Sequence, residues 1–446
     1  MGKLFGTDGI RGVANRELTP ELAFSIGRIA AWLLSREYEN PVFLIGRDTR
    51  LSGSMLEGSF MAGITSAGVM ARLLGVASTP AVAYLTRELK ACAGVVISAS
   101  HNPIEDNGLK IFNGSGFKLS DALEDQIEEI YFNQPGVVPR FEGVSLGQAT
   151  TDGDALEKYL THLKSIAPSL EGLNLVADCA HGAACRVAGE LLQNLGAKVI
   201  MLHDDPDGNL INVNCGATDT ADLQRTVLES GASIGLAFDG DADRLIAVDE
   251  KGAVVDGDAV MAICALDMAE KGLLKNNTLV TTVMSNGGLD ILAEKKGFKV
   301  IRTSVGDRYV LEKMVEGRYN LGGEQSGHVI FTDYATTGDG LLTALQLLKV
   351  VQAKQQPLSE LANLIERLPQ VLVNQKVSTK EGWSDNSKIK AAIDKVEKEI
   401  GRHGRVLVRP SGTEPKFRVM LEAPLPNKKL EEYAQAVAKA IAEEQS

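Results

Sequence analysis

Three short apolar runs, at 42–45, 173–177 and 279–284, each end in polar turn residues and pass into a small-residue or amphipathic stretch. Apolar runs of this length bounded by turns read as buried strands, and the spacing that follows each reads as a helix. Helical periodicity is clearest over 21–34, 156–166 and 341–353. Strands and helices therefore alternate, which is the pattern of parallel α/β sheets. A weak internal resemblance among the three units predicts three related α/β domains, in line with 446 residues at about 150 per domain. The turn-rich stretches 135–154 and 250–258 are the expected joints. After Pro369 the order changes to strand 371–377, helix 387–400, strands 405–408 and 417–421, and helix 428–443. That order describes a small α+β domain.

Charge narrows the function. With 46 Lys and Arg against 58 Asp and Glu, the net charge is −12, which excludes a chain that binds mainly by neutralising nucleic-acid phosphates or acidic lipid. An anionic ligand must be caught by local cationic loops. No apolar run approaches the ~20 residues that span a bilayer. The opening Met1-Gly2-Lys3-Leu4-Phe5-Gly6 carries neither an apolar signal segment nor the Ser or Thr that an N-myristoylation signal needs, so a cytoplasmic location is expected. The five cysteines, Cys92, Cys179, Cys185, Cys215 and Cys264, are scattered without a CxxC. They read as small buried hydrophobes in a reducing compartment.

Four loops carry chemistry. Asp239-Gly240-Asp241-Ala242-Asp243-Arg244 lies between two apolar strands, so alternation aims three carboxylates the same way. That much negative charge in one tight loop calls for a divalent cation. An EF-hand is excluded, because Arg244 stands where its loop requires Gly and the flanks are strands. Ser98-Ala99-Ser100-His101-Asn102-Pro103 follows another apolar segment, with Lys110 further on. Ser100 could act as nucleophile or phosphate carrier with His101 or Lys110 moving the proton, yet a simple Ser/Asn turn before proline explains this segment alone slightly better. Gly322-Gly323-Glu324-Gln325-Ser326-Gly327-His328 gathers groups suited to sugar hydroxyls. Arg409-Pro410-Ser411-Gly412-Thr413 combines a guanidinium, hydroxyls and backbone amides, as a phosphate cage requires. The Arg11 segment and Gly46-Arg47-Asp48-Thr49-Arg50 each read as turns with solvated arginines.

In that order these loops closely resemble those of the α-D-phosphohexomutases, over essentially the whole chain. The resemblance implies an α/β fold with a four-domain, heart-shaped architecture: 1–150 with a phosphoserine loop, 151–254 with a metal loop, 255–368 with a sugar loop, and 369–446 as an α+β phosphate-binding domain. It implies that Ser100 is the phosphoserine and that Asp239, Asp241 and Asp243 hold one Mg2+ with a phosphate oxygen of Ser100. Lys110 corresponds to the family's candidate general acid/base, and Arg11, His101 and Arg244 would surround the transferring phosphoryl group. Glu324, Ser326 and His328 would hold sugar, and Arg409, Ser411, Gly412 and Thr413 the remote phosphate. Gln325 stands where the phosphomannomutase/phosphoglucomutase branch usually has Met, a marker of the branch that works on glucosamine phosphates. The implied reaction is the interconversion of glucosamine 6-phosphate and glucosamine 1-phosphate through glucosamine 1,6-bisphosphate, supplying UDP-N-acetylglucosamine and cell-wall synthesis. Turning the bisphosphate around asks the last domain to grip and release, with a hinge near 368–371. A cytoplasmic homodimer without nucleic-acid or membrane partners is implied as well. Gly306-Asp307-Arg308-Tyr309 departs from the sugar-specificity turn of other branches. The alternatives are a phosphomannomutase/phosphoglucomutase, a metal-dependent phosphatase and a non-catalytic phosphosugar-binding regulator.

Overall fold

A computed structural model of the chain describes residues 4–410 and 415–445. The apolar runs become strands Val42–Arg47, Asn174–Asp178 and Thr278–Thr282, each followed by a helix, at Gly53–Ser66, Ala188–Asn194 and Gly288–Lys296. The periodic stretches become helices Pro20–Leu34, Ala155–Ile166 and Gly340–Lys354. The first starts where the sequence supplies both signals of a helix N-terminus: Thr19 Oγ1 accepts from the Leu22 N–H, and Pro20 opens the first turn. Its inner face buries Leu22, Ala23, Ile26 and Ala30.

Contacts divide the chain into two compact units, one running to Met284 and including Ile301–Asn363, the other Ser285–Val300 with the chain from Leu364 onward. In the first unit, one sheet has the strand order Phe5–Gly6, Gly9–Val13, Asp106–Asn113, Ala93–Ile97, Val42–Arg47, Met70–Val76, Ala149–Thr151. Phe43, Ile45, Phe60, Val95 and Ile97 fill its core and are fully buried, each worth about 1.5–3 kcal/mol of transfer free energy. A second sheet runs Val254–Val255, Leu245–Asp249, Ile234–Phe238, Asn174–Asp178, Lys198–Leu202. A third places Leu321–Gly323 between Thr278–Thr282 and Val329–Phe331.

These sheets are mixed, where simple alternation predicts parallel ones. Ala93–Ile97 pairs antiparallel with Asp106–Asn113, and Ile234–Phe238 with Leu245–Asp249. The connections explain it. A parallel return needs a crossover of a dozen or more residues, whereas the serine loop and the Asp-rich loop are too short for one. Both loops are therefore turns at a sheet edge, held at two ends by ladder hydrogen bonds. The expected joints also contain edge strands, Ala149–Thr151 and Val254–Val255.

The second unit holds the antiparallel sheet Gln370–Lys376, Lys416–Glu422, Arg405–Pro410, with helices Ser387–Ile400 and Asn427–Gln445. Phe417, Val419, Leu421, Leu430, Ala434 and Val437 form its core. Helix Gly288–Lys296 belongs to this unit: the Gly287 N–H donates to Glu422 Oε1 (2.8 Å), and Asn286 Nδ2 donates to the Leu368 carbonyl while its Oδ1 accepts from Leu368 N–H.

Candidate active site

Ser100 stands just past strand Ala93–Ile97 in a left-handed backbone conformation, φ 53°, and is 1% exposed. Arg50 holds the turn. Read from sequence as a solvated arginine, it is fully buried, and its guanidinium donates to the carbonyls of Ser100 (2.9 Å), Asn102 (2.7 Å), Asp106 (2.9 Å) and Pro103, and to Asp48 Oδ2 (3.0 Å). A tight turn leaves carbonyls without ladder partners, and the five-donor fork of arginine satisfies several at once. The Ser100 hydroxyl donates to Asp239 Oδ2 (2.6 Å) and lies 3.3 Å from His101 Nδ1. Burial, then the Arg244 and Arg11 charges, bring His101 down to about 4. At neutral pH it is thus a neutral imidazole, able to accept a proton.

The Asp-rich loop joins Ile234–Phe238 to Leu245–Asp249, and one carboxylate oxygen from each of Asp239, Asp241 and Asp243 lies within 4.8 Å of the others. All three side chains are buried, and Asp241 Oδ1 and Asp243 Oδ1 accept no hydrogen bond from the described residues. Burial and the neighbouring Asp243 and Asp241 carboxylates push Asp239 well above the ordinary carboxylate range. Orphaned hard oxygens in a triad of this size fit a divalent cation, whose charge would reverse that penalty. The loop rests on the second sheet's own turns: the Ala183 N–H donates to the Gly240 carbonyl (2.8 Å), and a Cβ on Gly182 would stand 2.4 Å from that same oxygen. Only glycine permits that approach.

Lys110 enters from strand Asp106–Asn113, with its Nζ 2.7 Å from Asp241, 3.0 Å from Asp8 and 3.3 Å from Asp243. Burial favours its neutral amine, but Asp241, Asp8 and Asp243 outweigh burial and hold the ammonium well above its ordinary value. Lys110 is therefore held as an ammonium in this arrangement. Arg11 pairs with Asp8 and donates to Asn102 Oδ1 (3.0 Å), so it too is no solvated turn. Arg244 places Nε 3.9 Å from Asp239 and 3.7 Å from Asp243.

The third sheet brings the Glu324 loop to the same place. The Gly327 N–H donates to the Glu324 carbonyl (3.0 Å), and the Gly327 carbonyl accepts from Leu245 N–H (3.0 Å), which ties this loop to the strand leaving the Asp-rich turn. Glu324 Oε1 accepts from the Gly306 N–H (3.1 Å), Ser326 is exposed, and Gln325 Nε2 donates to Asp256 (3.3 Å). His328 is buried, with Nδ1 3.5 Å from Asp243 and Nε2 accepting from the Gly338 N–H (3.1 Å). It thus faces the carboxylate triad first. Arg11, His101, Arg244, Glu324, Asp307 and His328 border one cleft of about 380 Å³, the size of a small-molecule site.

Two groups at or beside this cleft, Asp8 and Lys118, were not singled out from sequence. Asp8 bridges Arg11, Lys110 and Lys118; burial opposes its ionisation, yet Lys110, Lys118 and Arg11 hold it well below the ordinary carboxylate range. Lys118 also pairs with Asp307, in the turn that departs from the family pattern. Arg308 of that turn pairs with Asp121 and Glu124. An ion-pair relay between loops over a hundred residues apart leaves no periodic trace, though Asp8 lies within the segment that supplied Arg11.

In the second unit, Arg409 lies directly opposite Arg418 on paired antiparallel strands. Partial burial and the Arg418 charge hold its guanidinium below the usual range. Like charges placed opposite each other are destabilising, which suits a place that receives an anion. Ser411, Gly412 and Thr413 lie outside the described residues.

Family models for phosphoglucomutase/phosphomannomutase match the chain in sequence order: α/β/α domain I over residues 2–136, domain II over 157–252, domain III over 256–368 and the C-terminal domain over 372–440. A phosphoglucosamine mutase of Symbiobacterium thermophilum is 56% identical over 424 residues, 95% of each chain. One from Clostridium novyi is 51% identical over 446 residues, 99% of each. Among solved structures, a phosphoglucomutase/phosphomannomutase family protein of Burkholderia thailandensis superposes with a TM-score of 0.83 at 24% identity, covering 99% of this chain and 98% of its own. Aspergillus fumigatus N-acetylphosphoglucosamine mutase, solved with GlcNAc-6P and magnesium, gives 0.69 at 18% identity over 100% and 96%.

Proposed function

Because the chain belongs to the phosphoglucomutase/phosphomannomutase family, the α-D-phosphohexomutases, we infer that it is an enzyme interconverting α-D-glucosamine 6-phosphate and α-D-glucosamine 1-phosphate. The reaction is an intramolecular phosphotransfer of amino-sugar metabolism, whose product feeds UDP-N-acetylglucosamine and cell-wall synthesis. The observation that carries the choice of substrate is the identity to phosphoglucosamine mutases sustained along nearly the whole chain.

Ser100 carries the phosphoryl group. Its Oγ–P bond breaks as a sugar hydroxyl oxygen bonds to phosphorus, and the hydroxyl proton passes to a neighbouring base. The neutral His101 imidazole, which borders the cleft, is the acceptor. Lys110, held as an ammonium, then donates to the oxygen that leaves, and the reverse sequence moves the other phosphoryl of glucosamine 1,6-bisphosphate back to Ser100. Asp239, Asp241 and Asp243 would hold one Mg2+, with a phosphate oxygen of Ser100 as a further ligand; when bound, it neutralises charge on the transferring group. Arg11 and Arg244 add cationic donors at the same oxygens. Glu324, Ser326 and His328 bind the sugar side, while Arg409, Ser411, Gly412 and Thr413 grip the phosphate not in transfer. The four loops mark four domains, 1–150, 151–254, 255–368 and 369–446. By family likeness the enzyme works in the cytoplasm as a homodimer, without nucleic-acid or membrane partners; among the described residues no helix is long and apolar enough to cross a membrane.

Phosphorus NMR of the protein with Mg2+ and a trace of sugar bisphosphate, offered glucosamine, glucose and mannose 1-phosphates separately, tests this reading. Fastest formation of glucosamine 6-phosphate without free phosphate is expected, and Ser100→Ala should form no phosphoenzyme. Preference for glucose or mannose would move the substrate to a sister branch and strip Gln325 of its meaning. Release of inorganic phosphate would make the protein a phosphatase.

A further inference from the structure

Behind the Asp-rich loop, on the edge of the second sheet, lies a second set of ligand-type side chains that the phosphotransfer does not use. Asp178 ends strand Asn174–Asp178, His203 follows strand Lys198–Leu202, and Cys215 opens the turn before helix Ala221–Ser230. One ligand atom from each lies within 4.8 Å of the other two. Asp178 and Cys215 are fully buried. His203 retains 22% side-chain exposure, which leaves the group an opening to solvent.

The histidine geometry is informative. His203 Nδ1 approaches Asp178 Oδ2 to 3.0 Å, yet among the described residues this buried nitrogen makes no hydrogen bond. A short approach without alignment is what results when a nitrogen and an oxygen both point at a third position beside the line joining them. The other nitrogen, Nε2, faces Asp222 Oδ2 at 3.5 Å. A carboxylate behind the distal ring nitrogen is the usual support of a metal-bound imidazole: it fixes the tautomer and raises ligand basicity. Asp178 is itself fixed, since its two oxygens accept from the Ala180 N–H (2.9 Å) and the Gly216 N–H (2.9 Å).

We propose that Asp178, His203 and Cys215 form a second metal site, for a borderline transition ion of the Zn2+ class, distinct from the carboxylate triad. The donor set decides the ion. One thiolate, one imidazole and one carboxylate suit tetrahedral Zn2+ with water in the fourth position, whereas Mg2+ takes only oxygen. Binding would displace the Cys215 thiol proton, so affinity rises with pH. The site also has a structural reach. The Ala180 carbonyl accepts from Asn212 N–H (3.0 Å), Asn212 Nδ2 donates to the Ser100 carbonyl (2.8 Å), and Ala183 N–H holds Gly240. An ion here would brace the turn on which both the serine and the Asp-rich loop rest.

Titration of the intact, metal-stripped protein with Co2+ tests the proposal, because only a thiolate-bound ion gives a sulfur-to-cobalt charge-transfer band in the near ultraviolet. One equivalent of that band is expected, displaced by Zn2+ and not by Mg2+. It should vanish in Cys215→Ala and persist in Asp241→Asn and Cys92→Ser. Asp222→Asn, which keeps all three ligands, should weaken Co2+ binding about tenfold; this arm stands even if Cys215→Ala does not fold. Absence of the band in the unaltered protein, its survival in Cys215→Ala, or unchanged affinity in Asp222→Asn would overturn the assignment.

Discussion

Arg50 commits all five of its N–H donors, four of them to carbonyls of the serine turn. Lysine at this position offers three donors and no planar fork. Arg50→Lys should therefore leave the charge in place but loosen Ser100, and a misplacement of the order of an ångström at a reacting atom costs about a hundredfold in rate. Stopped-flow or coupled assays should show kcat down by about that factor; an unchanged kcat would remove the arginine from the account. Asp241 makes a different claim. Among the described residues its Oδ1 has no hydrogen-bond partner, while Oδ2 accepts from Lys110 and Thr79. Asp241→Asn should raise the Mg2+ concentration for half-maximal activity by at least about tenfold while moving the thermal midpoint little. Equal Mg2+ dependence in both proteins would detach this carboxylate from the cation.

Helix Gly340–Lys354 begins at Asp339, whose Oδ1 accepts from the Leu342 N–H (2.9 Å) and whose Oδ2 accepts from the Tyr159 hydroxyl (2.9 Å). Burial raises this carboxyl to about 6, against an ordinary value of 3.8. Between those values the folded chain keeps a proton that the unfolded chain has lost, so stability falls as pH rises through that window and stays lower above it, by about 3 kcal/mol. Asp339→Asn keeps the capping oxygen and turns the second bond round, its Nδ2 donating to the Tyr159 oxygen. It should raise the melting temperature at pH 8 and flatten the decline between pH 4 and 6; a variant with the parent's pH profile would show that the decline comes from another group. At this scale the sequence was most legible. Apolar runs bounded by turns located the strands, because burial on both faces demands them, and apolar periodicity located the helices over 21–34, 156–166 and 341–353. Strand direction was not legible, since an apolar run pairs equally well either way and only the short connection forces antiparallel pairing. Arg50 and Lys118 were missed for a related reason: their partners are backbone carbonyls or carboxylates brought near by folding, and nothing in their local sequence separates them from solvated residues.

Across the whole molecule, the chain passes between its two units at 284–285, 300–301 and 363–364. Leu368 is tied by two hydrogen bonds to Asn286 within the second unit, and the family models leave 369–371 between domain III and the C-terminal domain. Arg409 belongs to the second unit and the serine to the first. Arg409→Ala should raise KM for both glucosamine phosphates about tenfold or more, the worth of a charge-assisted hydrogen bond, with a smaller effect on kcat. A loss confined to kcat would place the residue at the chemical step instead. The order of the loops was legible in the sequence because each keeps its own chemistry in one short segment, whereas the relay of Asp8, Lys118 and Asp307 exists only after three distant segments meet. The serine turn, finally, determines who can write the first phosphate. A protein kinase works on a hydroxyl displayed along a pliable, accessible peptide, but Ser100 is 1% exposed, left-handed and pinned through its carbonyl by both Arg50 and Asn212. On the proposed function, a phosphoryl donor small enough to enter the cleft suits this turn, whereas a protein kinase would first have to release the grip of Arg50 and Asn212.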